Sequence, residues 1–197
     1  MITVSIQAGG RSSRMGENKA LKKFKGAPLI QRVIDRVRPI ADEIIILSGQ
    51  PDLFEFLGIP IYPDRVQGFG VLGGIYTALS ISKLSYVAPV GCDMPFISAA
   101  LLAAEIAELE SGNADVVIPE SSNGLEPLHA VYRRETCLVP VENAISSGDL
   151  RIVSWFDQVK VRIFTIAEIQ KIDPSPNIFM NVNTPEDFQR AERIASI

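Results

Sequence analysis

Two rhythms of apolar residues take turns along this chain. Short apolar runs occur at Ile2–Ile6, Glu43–Leu47, Ile59–Tyr62, Tyr86–Val90 and Ala114–Ile118. They are short and bounded by turn residues, so they read as strands buried in a sheet. Between them the apolar residues fall at helical spacing. Leu29, Ile30, Val33, Ile34 and Val37 follow Pro28 and stop at Pro39, and Gly74–Ile81 and Ala99–Leu109 read as two more helices. A last helix starts at Thr184, an N-cap with Pro185 in its first position and Glu186 and Asp187 in its first turn. This alternation predicts an α/β fold in three layers, a mostly parallel sheet with helices on both faces. Such sheets bind ligands at the carboxyl ends of their strands.

The second half is less regular. Gly124–Arg133 reads as a loop entering a strand, and Val159–Thr165 as an edge strand. At 197 residues the chain fits one domain, 1–197. We expect a nucleotide-binding half over about 1–97 and an acceptor-binding half over about 98–197.

The first strand runs into the most informative stretch, Ala8-Gly9-Gly10-Arg11-Ser12-Ser13-Arg14-Met15-Gly16, with Lys19 just beyond. Glycines let a backbone approach a ligand and turn its N–H groups toward it. Arginine, serine and lysine side chains add donors suited to phosphate oxygens. The loop is not a Walker A motif, because five residues separate Gly10 from Gly16 and Glu17 follows.

Composition narrows the ligand. A net charge of −4 argues against a general nucleic-acid binder, yet Arg11, Arg14, Lys19, Lys22, Lys23 and Lys25 cluster around one loop. That contrast points to a small anionic ligand. Cys92 and Cys137 lack metal-ligand spacing, and no apolar run is long enough to cross a membrane, so we expect a cytoplasmic protein with reduced thiols.

Gly91-Cys92-Asp93-Met94-Pro95 follows the Tyr86–Val90 strand. Asp93 there is placed either to bind a divalent ion, with Mg²⁺ completing its shell from water and phosphates, or to cap the helix that begins near Ser98. Asp64, after Tyr62-Pro63, is either a nucleotide contact or a turn residue. Gly68-Phe69-Gly70-Val71-Leu72-Gly73 matches the G-x-G-x-x-G dinucleotide fingerprint, with Asp93 downstream. An NAD site is therefore a rival reading, although Pro63–Gln67 separates those glycines from their strand. His129 is the only histidine. Asn181 and Asn183, in Phe179-Met180-Asn181-Val182-Asn183-Thr184-Pro185, either bind metal or phosphate or form a turn.

The pattern A-G-G-x-S-x-R-M-G-x-x-K after the first strand, the Cys-Asp-x-Pro segment at Cys92–Pro95 and the Phe179–Asp187 segment, in that order, resemble the molybdenum cofactor guanylyltransferases. Cytidylyltransferases tend to carry A-A-G in the first motif, and sugar-phosphate nucleotidyltransferases a Gly-Thr-Arg. Gln7 departs from the pattern, since the family usually has Leu there. Gly70-Val71-Leu72-Gly73-Gly74 departs from the usual Gly-Pro-Leu-Ala-Gly.

The resemblance implies a Rossmann-like nucleotidyltransferase fold. It also implies GMP transfer from GTP to the phosphate of molybdopterin, with Mg²⁺ as cofactor. Arg14, Lys19 and Asp93 would be catalytic, with Asp93 the metal ligand. Gln7, Ala8, Gly9, Gly10, Lys19, Asp64, Gly73 and Asp93 would bind the nucleotide. His129, Arg133, Asn181 and Asn183 would face the acceptor. Transient contacts with cofactor-synthesis proteins or receiving molybdoenzymes would follow. The alternatives are cytidylyl or sugar-phosphate nucleotidyl transfer, or a nucleotide-binding regulator without turnover.

Overall fold

The computed structural model describes residues 1–9 and 18–196. In chain order its elements are β1 (Ile2–Gln7), β2 (Lys23–Phe24), β3 (Ala27–Pro28), α1 (Leu29–Val37), β4 (Glu43–Leu47), β5 (Ile61–Tyr62), α2 (Gly70–Ile81), β6 (Tyr86–Gly91) and α3 (Ala99–Glu110). There follow β7 (Val116–Ser121), β8 (Gly124–Leu125), β9 (Val131–Arg133), α4 (Arg134–Ser146), β10 (Val161–Phe164), α5 (Ile166–Ile172) and α6 (Pro185–Ile194). One eight-stranded sheet has the order β10-β7-β9-β6-β1-β4-β5, with β8 paired to β7. Strands β5, β4, β1 and β6 are mutually parallel, as are β7 and β10, while β9 runs antiparallel between β6 and β7. The expected three-layer, mostly parallel architecture is the one observed.

The central strand β1 sends alternate residues to opposite faces. Ile2, Val4 and Ile6 join a core that includes α1 and α3 residues such as Val33, Ile34, Leu101 and Leu102. The opposite core gathers Leu72, Ile75 and Leu79 of α2 with Cys137 and Val141 of α4 and the buried Trp155. On that second face β1 presents Thr3 and Ser5, both fully buried. Each is partnered, as burial requires: Thr3 Oγ1 lies 2.7 Å from both Glu43 Oε2 and Ser82 Oγ, and Ser5 Oγ accepts from Gln7 Nε2 at 2.9 Å.

A third cluster, Phe24, Leu29, Phe96, Val182, Phe188 and Ala191, sits apart from these layers. Phe24 meets Phe96 and Phe188 edge-on, with ring centroids 6.5 and 5.6 Å away. Burying side chains of this size contributes roughly 1.5–3 kcal/mol each. The cluster clamps the β2–β3 hairpin, the chain just after Asp93 and α6 into one unit. Residues from both ends of the chain thereby meet at one end of the sheet.

The structure differs from the pattern in several places, and neither the β2–β3 hairpin nor α5 was predicted. The strand expected at Ile59–Tyr62 contracts to Ile61–Tyr62, and the helix expected from Gly74 begins at Gly70. Helix α4 had no predicted counterpart. It carries Pro140 in its interior, a residue that usually ends helices, and it survives by burying Cys137, Val141 and Ala144 along one side.

Candidate active site

The site forms where β1, β4 and β6 end. Ala8 N–H still bonds to Leu47 O at 2.9 Å, so the chain leaves β1 in register with β4. Gly9 follows. A Cβ there would stand 3.1 Å from Asp64 Oδ2. The missing side chain thus lets the Asp64 carboxylate rest against the loop that leaves β1. Burial raises the Asp64 pKa above its ordinary value. Gly10–Gly16, including Arg14, lie outside the described residues.

On the other side of β1, Cys92 N–H bonds to Gln7 O at 3.2 Å and Met94 N–H to Gly91 O at 3.3 Å, turning the chain sharply at the end of β6. A Cβ on Gly91 would stand 2.5 Å from Asp93 Oδ1. Only a glycine leaves the carboxylate room to fold back over the strand end. Asp93 Oδ2 then accepts from Lys19 Nζ at 2.7 Å, and the same ammonium donates to Asn183 Oδ1 at 2.9 Å. The Lys19 and Asp93 side chains are only 15% and 20% exposed, so water screens this pair less than a surface pair. Asp93 does not cap the following helix. Ser98 does so, its Oγ accepting from Leu101 N–H at 3.1 Å.

Asn183 is held from behind. Its N–H donates to Asp187 Oδ2 at 3.1 Å, and Thr184 and Asp187 form a capping box at the start of α6. Those bonds, first the one from Asn183, hold the Asp187 carboxyl below its ordinary value. Val182 N–H donates to Asp93 O at 2.9 Å while its side chain enters the third cluster. Asn181 is exposed and makes one long side-chain bond, to Phe179 O at 3.4 Å.

The segment before α2 contributes shape. Gly73 and Gly74 lie in its first turns. A Cβ on Gly73 would stand 3.1 Å from Phe69 Cβ, and one on Gly74 only 2.1 Å from Gln7 Oε1. The Gln7 side chain, whose role the sequence leaves open, therefore fills the space that Gly74 vacates and bonds to Ser5. The dinucleotide fingerprint does not form: β5 ends at Tyr62 and α2 begins at Gly70, without the tight strand–turn–helix that an NAD site requires.

Two expected acceptor residues lie elsewhere. His129 is fully buried, with Nε2 accepting from Ser98 N–H at 3.1 Å, so it offers no face to a ligand. Arg133 pairs in register with Tyr86, the first residue of β6, at the opposite end of the sheet from Asp93. Its guanidinium binds the carbonyls of Leu109 and Ala114 around the end of α3. In the sequence both stood in a segment read as a loop entering a strand, which says nothing of the sheet end their side chains reach. Cys92 adjoins Asp93, but burial pushes its thiol up to about 12, which suits a small packing residue and not a nucleophile.

A basic, glycine-rich sequence directly after the central strand, and a lysine held between a carboxylate and an amide, mark this protein as a nucleotidyltransferase. Residues 4–161 match the MobA-like NTP transferase domain family, and the chain belongs to that family. It is 35% identical to the probable molybdenum cofactor guanylyltransferase of Carboxydothermus hydrogenoformans, covering 100% of this chain and 98% of that protein. Identity to the molybdenum cofactor guanylyltransferase of Desulfosudis oleivorans is 34%, over 97% of this chain and 94% of the relative. The crystal structure of molybdopterin-guanine dinucleotide biosynthesis protein A from Archaeoglobus fulgidus superposes with a TM-score of 0.83 at 27% identity, covering 98% of each chain.

Proposed function

We propose that this protein transfers GMP from GTP to the phosphate of molybdopterin, giving the guanine dinucleotide and pyrophosphate. The observation that carries the reading is the convergence of Lys19, Asp93 and Asn183 at the carboxyl end of the sheet. Full-length relatives named for this activity supply the substrates.

In the reaction an oxygen of the acceptor phosphate attacks the α-phosphorus of GTP in line. A new P–O bond forms as the bond to the bridging oxygen breaks, and pyrophosphate leaves with that electron pair. The attacking group is already an anion, so no general base is required. The protein's work is therefore positioning and electrostatic stabilisation. The nucleotide is assigned to the backbone at Ala8, Gly9 and Gly10, where the Ala8 N–H is already taken by Leu47 O and the paired glycines favour GTP over CTP. Gln7 and Gly73 shape the floor, and Asp64 lies against Gly9 where it reaches the nucleoside. Lys19 and Arg14 take the triphosphate and offset charge on the departing pyrophosphate. With His129 and Arg133 directed elsewhere, Asn181 and Asn183 remain on the acceptor side.

The donors also fit Mg²⁺. Asp93 Oδ2 and Asn183 Oδ1 already converge on a cation, the Lys19 ammonium, and Mg²⁺ usually takes one or two carboxylates plus phosphate oxygens and water. When bound, Mg²⁺ would neutralise charge on the phosphates. Lys19 holds Asp93 until phosphates arrive to compete for the ammonium. Cys92 and Cys137 are unpaired thiols, in keeping with a cytoplasmic setting. No helix among the described residues is long and apolar enough to cross a membrane.

The test is pyrophosphate release from GTP with and without molybdopterin. Release that requires molybdopterin supports transfer. Tight GTP binding with no release in either case would identify a nucleotide-binding regulator instead.

A further inference from the structure

His129 is too buried to meet a substrate, yet its contacts lead both to the segment that carries Asp93 and to the one that leads to Asn183. Its backbone forms an antiparallel bridge with Val90, one residue before the glycine that ends β6. Its ring nitrogen Nε2 accepts from Ser98 N–H, where the Asp93 segment enters α3. The stretch Gly91–Ser98, which carries Asp93, is thus tied to His129 at its root by backbone and at its exit by side chain. Ser98 is fixed a second time, its Oγ donating to Asp173 Oδ2 at 2.6 Å. The His129 ring also meets Phe179 edge-on, at 5.2 Å between centroids. Phe179 leads into Val182 and Asn183, which bond to Asp93 and Lys19.

The ring's own state follows from these contacts. To accept from Ser98, Nε2 must be unprotonated, which places the proton of the neutral ring on Nδ1. Nδ1 lies 3.7 Å from Glu105 Oε1, too far for a direct bond. Glu105 is fully buried on α3, seven residues or about two turns beyond Ser98 and so on the same side of the helix. Among the described residues, neither its oxygens nor His129 Nδ1 has a hydrogen-bond partner. A core that keeps a carboxyl and an imidazole unpaired at this depth forgoes stability. The ring's orientation is set instead by its bond from Ser98 N–H and its edge-on contact with Phe179.

We infer that His129, its ring held by Ser98 N–H and by Phe179, is a positioning residue for the transfer reaction: it braces Gly91–Ser98 against Phe179 and so fixes Asp93 beside Asn183. This rests on the reading that Asp93 serves nucleotidyl transfer.

Two substitutions separate bracing from mere packing. His129→Gln keeps an acceptor at the position of Nε2. His129→Phe keeps the ring and removes the acceptor, and His129→Asn, whose amide stops short of Ser98, replaces it if the Phe variant does not fold. Steady-state kinetics are measured alongside amide hydrogen exchange of Val182, whose N–H is bonded to Asp93 O. We expect the Gln variant to stay within about threefold of wild type. The Phe or Asn variant should lose about tenfold or more in kcat, with KM for GTP within about twofold and Val182 exchange about tenfold faster. Exchange in the strands β1 and β4 should not change. Wild-type kcat and Val182 exchange in the variants lacking the acceptor would overturn the inference, as would uniformly faster exchange throughout the sheet. Should wild type show no transfer, the guanylyl reading fails by itself, and the Val182 exchange still decides whether His129 braces Asp93.

Discussion

Replacing Gly91 by alanine tests the geometry around Asp93 with a single methyl group. Gly91 is not among the glycines with positive φ, so its backbone accepts alanine without strain. The new Cβ would stand 2.5 Å from Asp93 Oδ1, and 3.3 Å from Met94 Cγ. Methionine is flexible and yields readily. The carboxylate has less freedom, because Lys19 holds its other oxygen at 2.7 Å. Non-bonded carbon atoms rest about 3.5–4.0 Å apart, so relief of the clash moves the carboxylate by on the order of 1 Å. A displacement of about 1 Å at a reacting centre costs about 100-fold in rate, which is about 2.7 kcal/mol of transition-state stabilisation. Lys19 is long enough to follow Asp93, so stability should change by less than about 1 kcal/mol. Pyrophosphate release gives kcat, and calorimetry gives the GTP affinity. We expect kcat to fall about 100-fold with GTP affinity within about threefold of wild type. A Gly91→Ala enzyme with wild-type kcat would refute the claim that the Asp93 carboxylate must occupy its observed position.

Three further outcomes follow from the same contacts. Lys19→Ala should weaken GTP binding by about 1.5–3 kcal/mol, the value of a charged hydrogen bond, with melting temperature near wild type; unchanged GTP affinity by calorimetry would reduce Lys19 to a partner for Asp93. Asp93→Asn should bind GTP but lose nearly all turnover across a Mg²⁺ titration, and since Ser98 rather than Asp93 caps α3, helix stability gives no compensating explanation; wild-type rates at ordinary Mg²⁺ would exclude Asp93 as the metal ligand. Burial holds the His129 pKa down from 6.5 to about 4. As pH falls through that window the unfolded chain takes up a proton that the folded chain refuses, so stability is lost toward acid. Denaturant titrations at about pH 8 and about pH 5 should show wild type losing roughly 2 kcal/mol relative to His129→Gln, and parallel pH profiles would contradict the buried, neutral ring.

The parts of this protein that were legible in its sequence are those where local chemistry and the final environment agree. Ile2–Ile6, Glu43–Leu47 and Tyr86–Val90 are strands because sheet burial rewards what their composition already favours. Thr184-Pro185-Glu186-Asp187 starts a helix through its own side chains, and the capping box forms as the residues prescribe. Helix α4 was not legible, since Pro140 argues locally for a break that packing against α2 overrides. At the site, Lys19 and Asp93 could each be singled out from the motif around it. Their contact could not, because the two are 74 residues apart in the chain and Asn183 is a further 90 away. His129 and Arg133 show the same limit from the other side. A histidine or arginine beside a strand carries no local sign of whether its side chain reaches the cleft, the core or the far end of the sheet. Those destinations are set by β9 running antiparallel between β6 and β7, a pairing that residue patterns do not specify.

The central claim is that this chain moves a guanylyl group onto a pterin phosphate, and GTP labelled at its α-phosphorus tests it most directly. Purified protein is incubated with molybdopterin, Mg²⁺ and labelled GTP, and the products are separated and weighed by mass spectrometry, with labelled CTP and a sugar phosphate as competing donor and acceptor. The account predicts label in a molybdopterin guanine dinucleotide, one pyrophosphate released for each dinucleotide formed, and transfer from CTP at least about tenfold slower. Label that stays in GTP, passes equally well from CTP, or appears on the sugar phosphate in preference to the pterin would contradict it.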